Sequence, residues 1–207
     1  MLKILGRNTS MNVQKVMWAI GELGLPHERV DIGGAFGQNN EPEYLAMNPN
    51  GLVPTLLDGD FVLWESNAIV RYLARQYGAG TLEPSDPKAI GHANQWMDWQ
   101  LSVAHGAILP AFWNLYRTPP EKRDMKAVEA SKAKTIAVMS IVDAQLGRTA
   151  WLAGDHFSMG DIPVGVIAYR FRQICTDRPA LPNLERWYAS LQARKAFMDH
   201  VEAIPLS

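Results

Sequence analysis

Along the first third of the chain, short apolar runs alternate with stretches in which apolar residues recur every three or four positions. Lys3-Ile4-Leu5 opens as a buried strand, and Val13, Val16, Met17 and Ile20 then fall at i, i+3, i+4 and i+7, one face of an amphipathic helix. Residues 27–31 read as a second strand, residues 33–37 as a glycine-rich loop, and residues 41–47 as a short helix closed by the turn Asn48-Pro49-Asn50-Gly51. Residues 55–57 and 61–63 flank Asp58-Gly59-Asp60, which predicts a tight antiparallel hairpin because Asp-Gly tolerates the positive φ angles of such turns. Ser66 is placed to cap a helix that turns Val70, Leu73 and Tyr77 inward and runs out at Gly78 and Gly80.

Beyond that point the pattern is helical throughout. Residues 89–116 hold no breaker before Pro110, and residues 120–146 are rich in Ala, Lys and Glu, so both predict long helices. Ser158-Met159-Gly160-Asp161 has the S-x-x-[DE] form of a capping box, and Ile162, Gly165, Val166 and Tyr169 follow at helical spacing. Pro179 and Pro182 separate that helix from a last one over residues 183–201. Gly and Pro crowd the stretch from Gly78 to Pro87, which carries little apolar content and marks a linker. The expected fold class is α/β plus all-α: a domain over residues 1–79, a linker over 80–88, and an all-helical bundle over 89–207.

Composition narrows the function classes. With 20 Lys and Arg against 21 Asp and Glu, scattered rather than clustered, the chain has no basic stripe to follow a phosphate backbone, and nucleic acid is not its expected partner. No run of about 18 apolar residues and no signal-peptide core is present, so the reading is a protein that works in the cytoplasm and away from membranes. A single cysteine, Cys175, excludes an intrachain disulfide, a C-x-x-C pair and a multi-cysteine zinc site. The five histidines are dispersed, with no i, i+4 pair, and no bound metal is expected.

A β-α-β unit followed by a hairpin and a helix is the topology of a thioredoxin-like domain, whose first helix begins where a redox cysteine pair would sit. Here that place is held by Ser10-Met11-Asn12-Val13. Without sulfur the chain cannot cycle a disulfide by itself, yet the helix head still offers unpaired N–H groups and a positive dipole end to an anion such as a visiting thiolate. Four motifs then carry a resemblance: Ser10-x-Asn12-Val13-x-Lys15-Val16; Asn48-Pro49-x-Gly51-x-Val53-Pro54-Thr55-Leu56; Trp64-Glu65-Ser66-Asn67-Ala68-Ile69; and Phe157-Ser158-Met159-Gly160-Asp161-Ile162. In these, and in their spacing over nearly the whole chain, the sequence resembles the cytosolic glutathione S-transferases, in the bacterial, Ser-type, theta-like branch.

The resemblance implies a transferase that joins the thiolate of glutathione, its co-substrate, to a small and largely apolar electrophile. It implies Ser10 and Asn12 as the catalytic donors to the sulfur, and Val53 with Pro54 as a cis-proline turn whose backbone pairs with the cysteinyl residue. Ser66 would hold the γ-glutamyl carboxylate and Glu65 the γ-glutamyl ammonium. Leu52 stands where the family often has a basic residue for the glycyl carboxylate, leaving Gln38 or Asn39 to substitute by hydrogen bonding. The second substrate is expected against Trp113, Tyr116 and Arg117, near the end of the first long helix. Asp98 or Gln100 is expected on a solvated helix face, and Trp64 and Arg71 at a two-fold homodimer interface. Two alternatives stay open on the same residues: reduction of a disulfide or peroxide by bound glutathione, and a non-catalytic glutathione-binding or structural protein.

Overall fold

A computed structural model describes residues 1–207. In chain order the elements are β1 (Leu2–Leu5), α1 (Met11–Glu22), β2 (His27–Val30), α2 (Pro42–Met47), β3 (Thr55–Asp58), β4 (Phe61–Trp64), α3 (Ser66–Tyr77), α4 (Pro87–Trp99), α5 (His105–Phe112), α6 (Met125–Leu146), α7 (Asp161–Ile174), α8 (Pro182–Gln192) and α9 (Lys195–Phe197). They divide between two compact units, Met1–Glu83 with Lys195–Ile204, and Pro84–Arg194 with Pro205–Ser207.

The first unit is built on a four-stranded mixed sheet of order β2-β1-β3-β4, with β1 and β2 parallel and the remaining pairs antiparallel. This is the thioredoxin-like architecture the alternation predicted. The periodic face of α1 explains its docking, since Val13, Val16 and Ile20 are fully buried and Met17 nearly so. The hairpin closes through Gly59 and Asp60, and Gly59 takes φ 59°, a conformation that a side chain would strain. One expectation changes here. Tyr77 does not face inward: its ring is half in solvent, and its hydroxyl, with that of Tyr72, donates to Asp58 Oδ2, tying the end of α3 to the hairpin. The stretch after Gly78 is ordered by a bridge between Ala79 and Glu83 and by the Arg75–Glu83 ion pair at 3.1 Å.

The expected last helix over residues 183–201 is broken after Gln192, and its second part packs in the first unit rather than with the bundle. Phe197 is fully buried with its ring 4.8 Å from that of Trp18 on α1. Gly21 makes room for the contact, because a Cβ there would lie 2.9 Å from both Ala196 and His200.

The second unit is all helical. From Pro87 to Arg117 the chain runs as α4 and α5 joined and followed by π-helical turns, Gln100–Ala104 and Trp113–Arg117. Pro110 lies inside α5, and Ser131 of α6 enters the ladder beside it: its hydroxyl accepts from the Ala111 N–H (3.1 Å) and donates to the Ala107 carbonyl (2.6 Å). The helix expected from residue 120 starts at Met125, because Asp124 caps it by accepting from the Ala127 N–H at 3.0 Å. Asp161 at the head of α7 is fully buried and accepts from the N–H groups of Leu152 and Ser158 (both 3.0 Å), the Trp187 indole (2.9 Å) and the Ser158 hydroxyl (3.3 Å). The capping box therefore also pins the preceding loop and α8.

Candidate active site

Where β1 ends, the chain turns through Gly6 toward the head of α1. A Cβ at Gly6 would sit 2.5 Å from Val13 Cγ2 and 3.2 Å from Val53 Cβ, so glycine lets this loop close against the Val53-Pro54 turn. Ser10 precedes α1 in extended conformation, and its carbonyl accepts from the Gln14 N–H at 2.9 Å. Its hydroxyl makes no capping hydrogen bond. A half-buried O–H thus stands at the positive end of a 12-residue helix without being spent on that helix.

Asn12, inside the first turn of α1, accepts from the Ser66 hydroxyl at 3.3 Å. This contact brings the first and third motifs together: α1 carries Ser10 and Asn12, and α3 begins at Ser66. The cap position of α3 belongs to Glu65 instead of Ser66, and Ser66 is its buried first residue. Glu65 takes φ 73° and ψ 110°, a left-handed backbone that costs a non-glycine residue about 1 to 3 kcal/mol. The strained corner directs the Glu65 carboxylate to solvent while the first N–H groups of α3 open beside it.

The Val53-Pro54 peptide bond is cis. Its surroundings are held by Tyr44, whose hydroxyl donates to the Leu52 carbonyl (2.6 Å) and pairs with Thr55 Oγ1 (2.9 Å), and by Asn48, whose amide donates to the same two groups at 2.8 and 3.2 Å. Burial raises the Tyr44 phenol, which therefore stays protonated. Asn39 donates one amide hydrogen to the Gly51 carbonyl at 2.7 Å and so braces this turn. Leu52 is 65% exposed and puts an apolar side chain where a basic one was sought.

Lys15 is the site residue that sequence reasoning missed. It is fully buried, and its Nζ donates to Ser66 Oγ (3.4 Å) and Asn67 Oδ1 (3.2 Å). Lysine reads as a surface residue by default, and Lys15 falls outside the Val13, Val16, Met17 and Ile20 stripe, so nothing local signalled its burial.

In the second unit, Trp113 is 59% exposed, which sets aside core packing as its role, and Tyr116 is exposed beside it. Tyr116 stacks on Phe112 at 5.5 Å, and the Arg117 guanidinium lies 5.8 Å from the same ring. Gln100, by contrast, is fully buried, so the solvated face expected for it fails, while Asp98 is exposed. Cys175 is buried and its thiol is pushed up to about 11 by burial, which leaves it unreactive at neutral pH.

Residues 2–75 match the family model of the glutathione S-transferase N-terminal domain, and residues 125–190 that of the C-terminal domain. Glutathione S-transferase GstB of Escherichia coli strain K12 is 45% identical over 212 residues, with all of both chains covered. The chain belongs to the glutathione S-transferase family. As a glutathione S-transferase it is an enzyme, with further relatives among plants: glutathione S-transferase 3 of Zea mays is 34% identical over 214 residues, covering 99% of this chain and 95% of that one. The crystal structure of the theta class transferase of Xanthomonas axonopodis pv. citri with glutathione bound superimposes with a TM-score of 0.95 at 42% identity, over 100% of this chain and 99% of that one. No helix of the transferase is long and apolar enough to cross a membrane.

Proposed function

We propose that the protein conjugates glutathione to a small, largely apolar electrophile, with Ser10 and Asn12 holding the sulfur as thiolate. The observation that carries this reading is the Ser10 hydroxyl, uncommitted to capping at the head of α1, beside an Asn12 already tied to Ser66. At a pKa near 8.5 only ~3% of a thiol is ionised at pH 7, and lowering it by ~2 units raises that fraction to roughly three quarters. Such a shift needs about 2.7 kcal/mol, within the ~1.5 to 3 kcal/mol that a single hydrogen bond to a charged group supplies. In this reading residues 1–79 form the glutathione-binding domain, residues 80–88 the linker, and residues 89–207 the second domain, with Lys195–Ile204 packing back in the first unit. Ser66 and its N–H take the γ-glutamyl carboxylate, Glu65 the ammonium, the Val53 backbone ahead of Pro54 the cysteinyl residue, and Asn39 the glycyl end through its remaining amide hydrogen. The exposed Trp113, Tyr116 and Arg117 receive the electrophile.

The protein further reads as a cytoplasmic, detoxifying homodimer, consistent with its one buried thiol and with the exposed Trp64 on β4. Turnover assays with glutathione and an aryl halide, an organic peroxide or a hydroxyethyl disulfide test the reaction class. Thioether formation with the halide at a rate well above the other two supports it, whereas disulfide or peroxide reduction as the main activity replaces it with glutathione-dependent redox chemistry.

A further inference from the structure

We propose that Lys15 is a positioning residue for the γ-glutamyl carboxylate, acting through Ser66; the inference rests on the glutathione-binding reading above. A buried ammonium is costly, and it offers three hydrogens and no lone pair, so every bond it makes is a donation. Lys15 lies wholly out of solvent on α1 and donates across to Ser66 Oγ at 3.4 Å and Asn67 Oδ1 at 3.2 Å, the first two residues of α3.

This fixes which way Ser66 can act. Its oxygen receives a hydrogen from Lys15, so its own single proton points elsewhere, and it goes to Asn12 Oδ1 at 3.3 Å. When a carboxylate reaches the head of α3, Ser66 turns that proton to the ligand and releases Asn12. Lys15 itself cannot reverse the chain, since it has no acceptor. The carboxylate thus meets a hydroxyl already oriented to donate, polarised by a full positive charge behind it and beside the N–H groups that open α3. A residue that merely stapled α1 to α3 would hold the whole site together without favouring one end of the ligand.

The test pairs two ligands that differ only at that end: glutathione, and γ-aminobutyryl-cysteinyl-glycine, which lacks the γ-glutamyl carboxylate alone, with N-deamino glutathione, which lacks the ammonium alone, as the control for Glu65. Affinities are measured by calorimetry on the full chain. In Lys15→Met, glutathione and N-deamino glutathione are expected to weaken about tenfold, as for loss of one hydrogen-bonded, charge-assisted contact, while the decarboxylated peptide changes by less than about twofold. Lys15→Arg, which keeps charge and donors, restores the wild-type ratio. Should Lys15→Met not fold, Lys15→Gln, which keeps a donor without the charge, is measured the same way with the same expectation. Equal weakening of all three ligands, or no change in any, overturns the role of Lys15. If the wild-type protein itself binds all three ligands equally, the glutamyl anchor at Ser66 is wrong, and the failure lies in the underlying reading.

Discussion

Replacing Asp161 by Asn separates the two opposed effects that act on the buried carboxylate at the head of α7. Four donors converge on it, which favours the ionised form, but complete burial dominates and raises its pKa from 3.8 to about 6. Because the folded state holds this proton more tightly than the unfolded chain, the group's contribution to stability is full below about pH 4 and declines as the pH climbs to about 6. A shift of roughly 2 units at 1.36 kcal/mol each makes the decline about 3 kcal/mol, and the group is wholly shielded from solvent, so no screening discount applies. Asparagine, isosteric and uncharged, does not titrate. Urea unfolding of both proteins from pH 4 to 7 should therefore show the stability difference moving by about 3 kcal/mol in favour of Asp161→Asn as pH rises. Curves that stay parallel would mean that the four hydrogen bonds outweigh burial and that the carboxylate is ionised throughout.

Three further outcomes follow from the same structure. Ser66→Ala should weaken glutathione binding by about 1.5 to 3 kcal/mol in calorimetry, because it removes a hydrogen bond to a charged group. Phe197→Ala should cost about 3 to 5 kcal/mol in thermal or urea unfolding, since the ring is fully buried against Trp18 and its loss leaves a cavity on α1. Light scattering at micromolar concentration should give twice the 23.1 kDa chain mass; a monomer mass removes the dimer from the proposal.

Much of the first unit is legible in the sequence because its signals are local. The i, i+3, i+4, i+7 face of α1 and the Asp58-Gly59 turn each follow from residues close together in the chain, whereas the cis bond at Pro54 is implied only by the family resemblance. What escaped depends on distant partners. The Tyr77 ring leaves the expected inward face because Asp58 offers its hydroxyl an acceptor across the hairpin, and the break between α8 and α9 falls at Ala193-Arg194, where no Gly or Pro announces it. Ser66 resembles a helix cap in sequence, but the strained Glu65 takes that place. The burial of Lys15 is set by α3, more than 50 residues away, and no local pattern distinguishes it from a solvated lysine. The Ser131 hydroxyl that enters α5 between Ala107 and Ala111 likewise comes from another helix.

The most direct test of the central claim is the ultraviolet thiolate absorbance of glutathione bound at saturation, titrated from pH 5 to 10 in the wild-type protein, Ser10→Ala and Asn12→Ala. The account predicts a wild-type thiol pKa about 2 units below the free value near 8.5, and a rise of about 1 to 2 units in Ser10→Ala, with a similar or smaller rise in Asn12→Ala. Turnover at pH 7 should fall more than at pH 9 in the same variants, since the thiol ionises unaided at the higher pH. A titration that neither substitution moves would contradict the assignment and leave the N–H groups at the head of α1 as the source of activation.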